Sequence, residues 1–149
     1  MFDDLEQFKN WWMVNRPINT PDANALVYVA ETHGVVLYRQ DKYQVEMFLV
    51  KPNSEIAPHI HPNVDSFEVY IGGDINFMCN GQWFGQNNIG DSIRVYPNSW
   101  HGGKFGDRGG CFLSIQKWLN GVEPKFVGDD WQDKENTGSY KENRELDND

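Results

Sequence analysis

With 149 residues, 39% of them hydrophobic and 14% aromatic, the chain has the length of one domain and too many apolar side chains for a disordered polymer. Its net charge of −9 and the lack of any Lys/Arg stripe argue against a nucleic-acid partner, because an acidic surface repels a phosphate backbone. No charged-then-apolar leader and no apolar run of membrane-spanning length are present, and Cys79 and Cys111 form neither a CxxC nor a disulfide framework. A cytoplasmic protein with two buried thiols and no membrane partner is expected.

Residues 2–14 are predicted to form an amphipathic helix. Phe2, Leu5, Phe8 and Trp12 recur at spacings of three and four, with Asp3, Asp4, Glu6 and Lys9 between them. Asn15 and Pro17 end it, and residues 16–24 read as a loop. Strands are predicted at Leu26–Ala30, Val35–Arg39 and Tyr43–Val50, separated by His33-Gly34 and Asp41-Lys42, which places His33 in an exposed turn. Ser66–Ile71 and Ile75–Cys79 flank a turn at Gly72-Gly73. Asn80-Gly81 is a type I′ hairpin signal leading into Gln82–Phe84. Ser92–Tyr96 and Cys111–Leu119 complete about eight short strands, with no internal repeat. That pattern fits an all-β sandwich or barrel. Residues 132–149 have one aromatic residue and six acids against three basic residues, a composition expected to stay disordered. The expected organisation is one domain over residues 1–131, with its barrel core at about 25–120, followed by an acidic flexible tail.

The segment Pro58-His59-Ile60-His61-Pro62-Asn63-Val64-Asp65 carries the clearest chemistry. Two histidines at i and i+2 of an extended segment project from one face, about 7 Å apart at Cα. Both imidazoles can then converge on one metal ion at about 2.1 Å. The flanking prolines favour the extended conformation. Downstream, Gly90-Asp91 precedes a strand ending in Pro97-Asn98-Ser99-Trp100-His101. Three of the four histidines thus fall at strand ends that antiparallel neighbours in a barrel can bring together.

These two segments resemble the motif pair of the cupin superfamily. The first motif is matched by His59, His61 and Gly72, with Asp65 standing for its glutamate and Asn53 for its leading glycine. The second is matched by Gly90, Pro97 and His101, without its second glycine and with Phe105 where an asparagine is expected. The resemblance covers about residues 25–120. It implies a small single-domain cupin of the RmlC-like kind: a double-stranded β-helix, or jelly-roll barrel, behind the N-terminal helix, often paired as a homodimer. The N-terminal helix and strands 26–38 are the candidate dimer surface. The implied cofactor is one divalent metal ion (Fe, Mn, Ni, Co, Cu or Zn) on His59, His61 and His101, with Asp65 as fourth ligand or catalytic base. Alternation supports Asp65 over Glu68. Asp65, Phe67, Val69 and Ile71 share the more apolar face, and an apolar face is expected to line a barrel.

Phe67 and Trp100 are candidate pocket walls, Trp100 being equally readable as a packed core residue. Ser114 and Gln116 either contact a ligand inside the barrel or belong to a solvated outer face. Glu46 is either an exposed strand residue or a pocket acid. No GxSxG, P-loop, GxGxxG or zinc-finger spacing occurs. Three functions remain open. One is a metal-dependent enzyme acting on a small oxygenated molecule, either a dioxygenase or a lyase or isomerase. The others are a ligand-binding or sensing cupin without turnover, and a structural domain without metal.

Overall fold

The computed structural model describes residues 2–19, 26–29, 32–119 and 127–128. The expected C-terminal tail, 132–149, lies outside them. Helix α1 (Leu5–Asn15) is followed by β1 (Leu26–Val29), β2 (Thr32–Gln40), β3 (Tyr43–Val50), β4 (Glu55–Ile60) and β5 (Val64–Cys79). β6 (Gln82–Gln86), β7 (Ser92–Val95), β8 (His101–Trp118) and β9 (Val127–Gly128) complete the chain order.

All strand pairs are antiparallel, and two long strands organise them. The C-terminal half of β8 lies between β3 and the first half of β5, while its N-terminal half lies between β4 and the second half of β5. The first half of β5 pairs onward with β7 and its second half with β6. Each long strand therefore crosses from one face of a jelly roll to the other.

The crossing occurs at glycines. Gly73 has φ +88, and a Cβ there would meet the Gly109 carbonyl oxygen at 2.4 Å. Gly72-Gly73 is thus a bulged corner inside β5, with register shifts on both sides, and not the turn expected from sequence. The Asn80-Gly81 hairpin forms as expected, with φ 51 and 82. Asn53, at φ 57, occupies the left-handed region. The turn expected at His33 is instead part of β2, with His33 exposed. Two strands that the composition did not reveal, β4 and the first half of β8, carry His59 and His101.

Two apolar clusters lie on opposite faces of the β2-β3-β8-β5 half. Phe48, Tyr70, Phe77, Phe105 and Phe112 are among those filling the barrel. Tyr38, Tyr43, Val45, Phe67, Val69, Leu113 and Ile115 form an outer face that α1 covers with Leu5, Phe8 and Trp12. The helix is held at both ends. The Asp4 carboxylate accepts from the Gln7 N–H at 2.9 Å, and Gln7 Oε1 accepts from the Asp3 N–H at 2.8 Å. Arg16 closes it in a left-handed cap, its N–H donating to the Trp12 carbonyl. The aromatic face of α1 packs on its own chain, with Phe8 fully buried.

Candidate metal centre and cavity

His59 on β4 is the direct register partner of His101, the first residue of β8. His61 follows one residue beyond the end of β4. The ring centroids of His59 and His101 are 4.2 Å apart, those of His59 and His61 5.0 Å, and those of His61 and His101 5.4 Å. One ring nitrogen from each lies within 4.8 Å of the others, so the three can hold a metal ion. The turn before His101 is tied to the HxH segment, because the Asn98 N–H donates to the His61 carbonyl at 3.1 Å and Asn98 itself sits at φ 65.

Hydrogen bonding prepares two of these rings for coordination. His59 Nδ1 lies 2.8 Å from the Ala57 carbonyl oxygen and His101 Nδ1 lies 2.8 Å from that of Ser99. A carbonyl only accepts, so each Nδ1 carries the proton and Nε2 keeps its lone pair. Burial holds the His59 imidazole well below its ordinary pKa, helped by the neighbouring His101 and His61. Burial alone brings His101 down to about 4. Both rings are neutral at pH 7, the form that binds a metal. The donor set fits the imidazole-rich site expected from sequence.

The histidines line an internal cavity of about 80 Å³. Its apolar wall includes Phe48, Ile56, Phe77, Ile93 and Phe112. Its polar lining includes Thr32, Ser66, Glu68, Ser114 and Gln116. Ser114 Oγ donates to Glu68 Oε2 at 2.9 Å, and Gln116 Nε2 reaches Ser114 Oγ at 3.0 Å and Glu46 Oε1 at 2.9 Å. Gln44 Nε2 donates to Glu46 Oε1 at 3.0 Å, and Trp118 Nε1 to Gln116 Oε1 at 3.0 Å. Burial raises the Glu68 carboxyl to about 7, against the opposing hydrogen bonds from Ser114 and Ser66.

Asp65 does not join the histidines. Its two oxygens accept from Arg94 Nε at 2.8 Å and Arg94 Nη2 at 2.7 Å. The alternation along β5 is as expected, but its assignment to inside and outside is reversed. Phe67 and Val69 pack beneath α1, while Ser66 and Glu68 face the cavity. A barrel strand with an apolar outer face is exceptional unless something covers it, and here the helix does. Phe67 is consequently no pocket wall; the Lys9 ammonium and the Arg94 guanidinium lie 4.6 and 4.8 Å from its ring centroid. Trp100 is 40% exposed and is neither pocket wall nor core. Ser114 and Gln116 do line the cavity. Glu46 is fully buried within their network. Cys79 and Cys111 are free and half-buried, and burial pushes both thiols up, so neither is activated as a thiolate.

Comparison with solved structures shows the same architecture at low sequence identity. KdgF from Halomonas sp. superposes with a TM-score of 0.58 at 11% identity, over 64% of this chain and 86% of that one. An RmlC-like cupin from Shewanella frigidimarina gives 0.58 at 14%, over 69% and 91%. The polyketide cyclase RemF from Streptomyces resistomycificus gives 0.60 at 18%, over 75% and 83%. No sequence-family description matches the chain, and none of the curated proteins is similar to it in sequence. The chain has the cupin fold: an RmlC-like, antiparallel jelly roll behind one N-terminal helix. Among the described residues no helix is long and apolar enough to cross a membrane.

Proposed function

We propose that this cupin is a metal-dependent enzyme acting on a small oxygenated metabolite, as a dioxygenase or as a lyase or isomerase. The observation that carries the reading is the convergence of three histidines and the buried Glu68 carboxyl on one partly apolar cavity. One divalent ion of the Fe, Mn, Ni, Co, Cu or Zn group would sit on His59, His61 and His101. When bound, such an ion polarises a carbonyl or enolate oxygen and, in the case of iron, activates O₂.

The protein's own groups supply the rest. The Ala57 and Ser99 carbonyls fix the tautomers and aim Nε2 of His59 and His101. Glu68, with its carboxyl near neutrality, can hold or release a proton at the pH where the protein works. Ser114 and Gln116 fix the orientation of that carboxyl. The aromatic wall limits water around it. A homodimer in the cytoplasm is part of this proposal.

The test loads metal-free protein separately with Fe(II), Mn, Ni and Zn and screens diketones, keto-sugars, uronates and small thiols. Turnover with Fe(II) and O₂ alone identifies a dioxygenase. Turnover with several metals without O₂ identifies a lyase or isomerase. Saturable binding without turnover under any metal leaves a ligand-binding cupin and contradicts the enzymatic reading.

A further inference from the structure

We propose that Glu68 recognises a hydroxyl group on a small ligand carrying at most one negative charge. The inference rests on the metal reading above, since the histidine-bound ion would take the ligand's chelating end. Glu68 is the one carboxylate among the described residues lining the cavity. A carboxylate offers about four acceptor positions. The Ser66 and Ser114 hydroxyls take two of them and lock the group in place. What remains can accept a donor from the cavity, and a hydroxyl is the smallest donor that fits. A second polar contact stands ready on β2. Thr32 Oγ1 lines the same cavity, is buried, and has no hydrogen-bond partner among the described residues. A buried hydroxyl left without a partner costs free energy that a ligand oxygen would recover.

The charge limit follows from what is missing. Among the described lining residues there is no Lys or Arg. With the metal ion engaged by the chelating end, a phosphate or second carboxylate at the other end would lie beside Glu68 with no Lys or Arg to offset it, and an unpaired buried charge is strongly disfavoured. The cavity's size and its aromatic boundary at Phe48, Phe77 and Phe112 further select a compact molecule.

The experiment uses zinc-loaded full-length protein, its zinc content measured by elemental analysis, and three probes in calorimetric titration. Acetohydroxamate and glycolohydroxamate share one chelating head and differ by one hydroxyl; phosphonoformate is a chelator of similar size with more negative charge. Glycolohydroxamate is expected to bind about 10-fold tighter than acetohydroxamate, the worth of one hydrogen bond to a charged group. Glu68→Ala should bring the two within about twofold of each other, and phosphonoformate should bind more weakly than either. Equal hydroxamate affinities in the native protein would overturn the proposal without relying on any variant. So would a preference that survives in a folded Glu68→Ala protein, a zinc-loaded protein that binds neither hydroxamate, or phosphonoformate binding as tightly as glycolohydroxamate. Failure of the metal reading is recognised separately: the protein would then retain no zinc, and the recognition scheme would fall with it.

Discussion

Asp65 and Arg94 form a two-pronged ion pair, 2.8 and 2.7 Å, across the β5–β7 edge, on the face of β5 opposite Glu68. The pair is partly exposed, with side-chain accessibilities of 17% for Asp65 and 30% for Arg94. Its Coulomb term is screened, and removing it should cost about 1 kcal/mol or less. Asp65→Ala should therefore leave metal content unchanged and lower stability only slightly. Elemental analysis and a urea melt of the variant check both parts; loss of bound metal would restore Asp65 to the site.

The metal-free protein should show two opposed pH effects. Glu68 has a folded pKa of about 7 against an ordinary value of 4.5, so the folded state holds its proton longer than the unfolded chain. Its contribution is complete below pH 4.5 and is lost as pH rises toward 7, by about 3 kcal/mol at most. His101, lowered to about 4, acts the other way: the unfolded chain binds the proton first, so stability falls as pH drops from 6.5 toward 4. Glu68→Gln should remove only the first effect. Denaturant melts of both proteins at pH 5, 6, 7 and 8 should show the variant gaining on the native protein as pH rises. A pH-independent difference would contradict the burial assigned to Glu68.

The glycine corner should be intolerant of any side chain. Gly73→Ala combines φ +88 with a Cβ placed 2.4 Å from the Gly109 carbonyl oxygen. Gly81→Ala has a similar φ of +82 but open space around it. The hairpin variant should lose about 1 kcal/mol or slightly more, and the corner variant several kcal/mol or its fold. Thermal melts of the two, side by side, separate backbone strain from steric clash.

Phe8 fills the interface between α1 and the sheet, with ring centroids 4.8 Å from Tyr43 and 5.2 Å from Phe2. Phe8→Ala should cost about 3–5 kcal/mol. The metal centre lies inside the barrel, beyond the sheet that α1 covers, so metal content of the folded fraction should not change. Loss of metal in a folded Phe8→Ala protein would mean that the helix helps to shape the site.

Much of this arrangement was legible in the residue pattern, because local chemistry wrote it there. The HxH spacing, the histidine after Pro97, the Asn80-Gly81 hairpin and the amphipathic stripe of α1 each follow from a few adjacent residues. The side on which Glu68 faces was not legible. Period-two alternation on β5 divides Asp65, Phe67 and Val69 from Ser66, Glu68 and Tyr70, but it does not say which set lies inside. That depends on α1, more than 50 residues away in sequence, covering the outer face. The buried aromatic stripe of the helix was the available signal: it had to cover some apolar surface, and the richest one was the set assigned to the interior. Strand β4 escaped notice because Glu55–Ile60 contains a proline and little alternation. The first half of β8 escaped because its glycines imitate a loop.

The most direct test of the central claim is the metal content of the purified protein beside that of His101→Ala. His101 joins β8 to His59 on β4, and two remaining imidazoles chelate poorly. The native protein, incubated with a divalent metal and desalted, should carry close to one equivalent, and His101→Ala should carry almost none while keeping its β-sheet circular dichroism. Full metal content in His101→Ala, or none in the native protein with any of the six metals, would contradict the account.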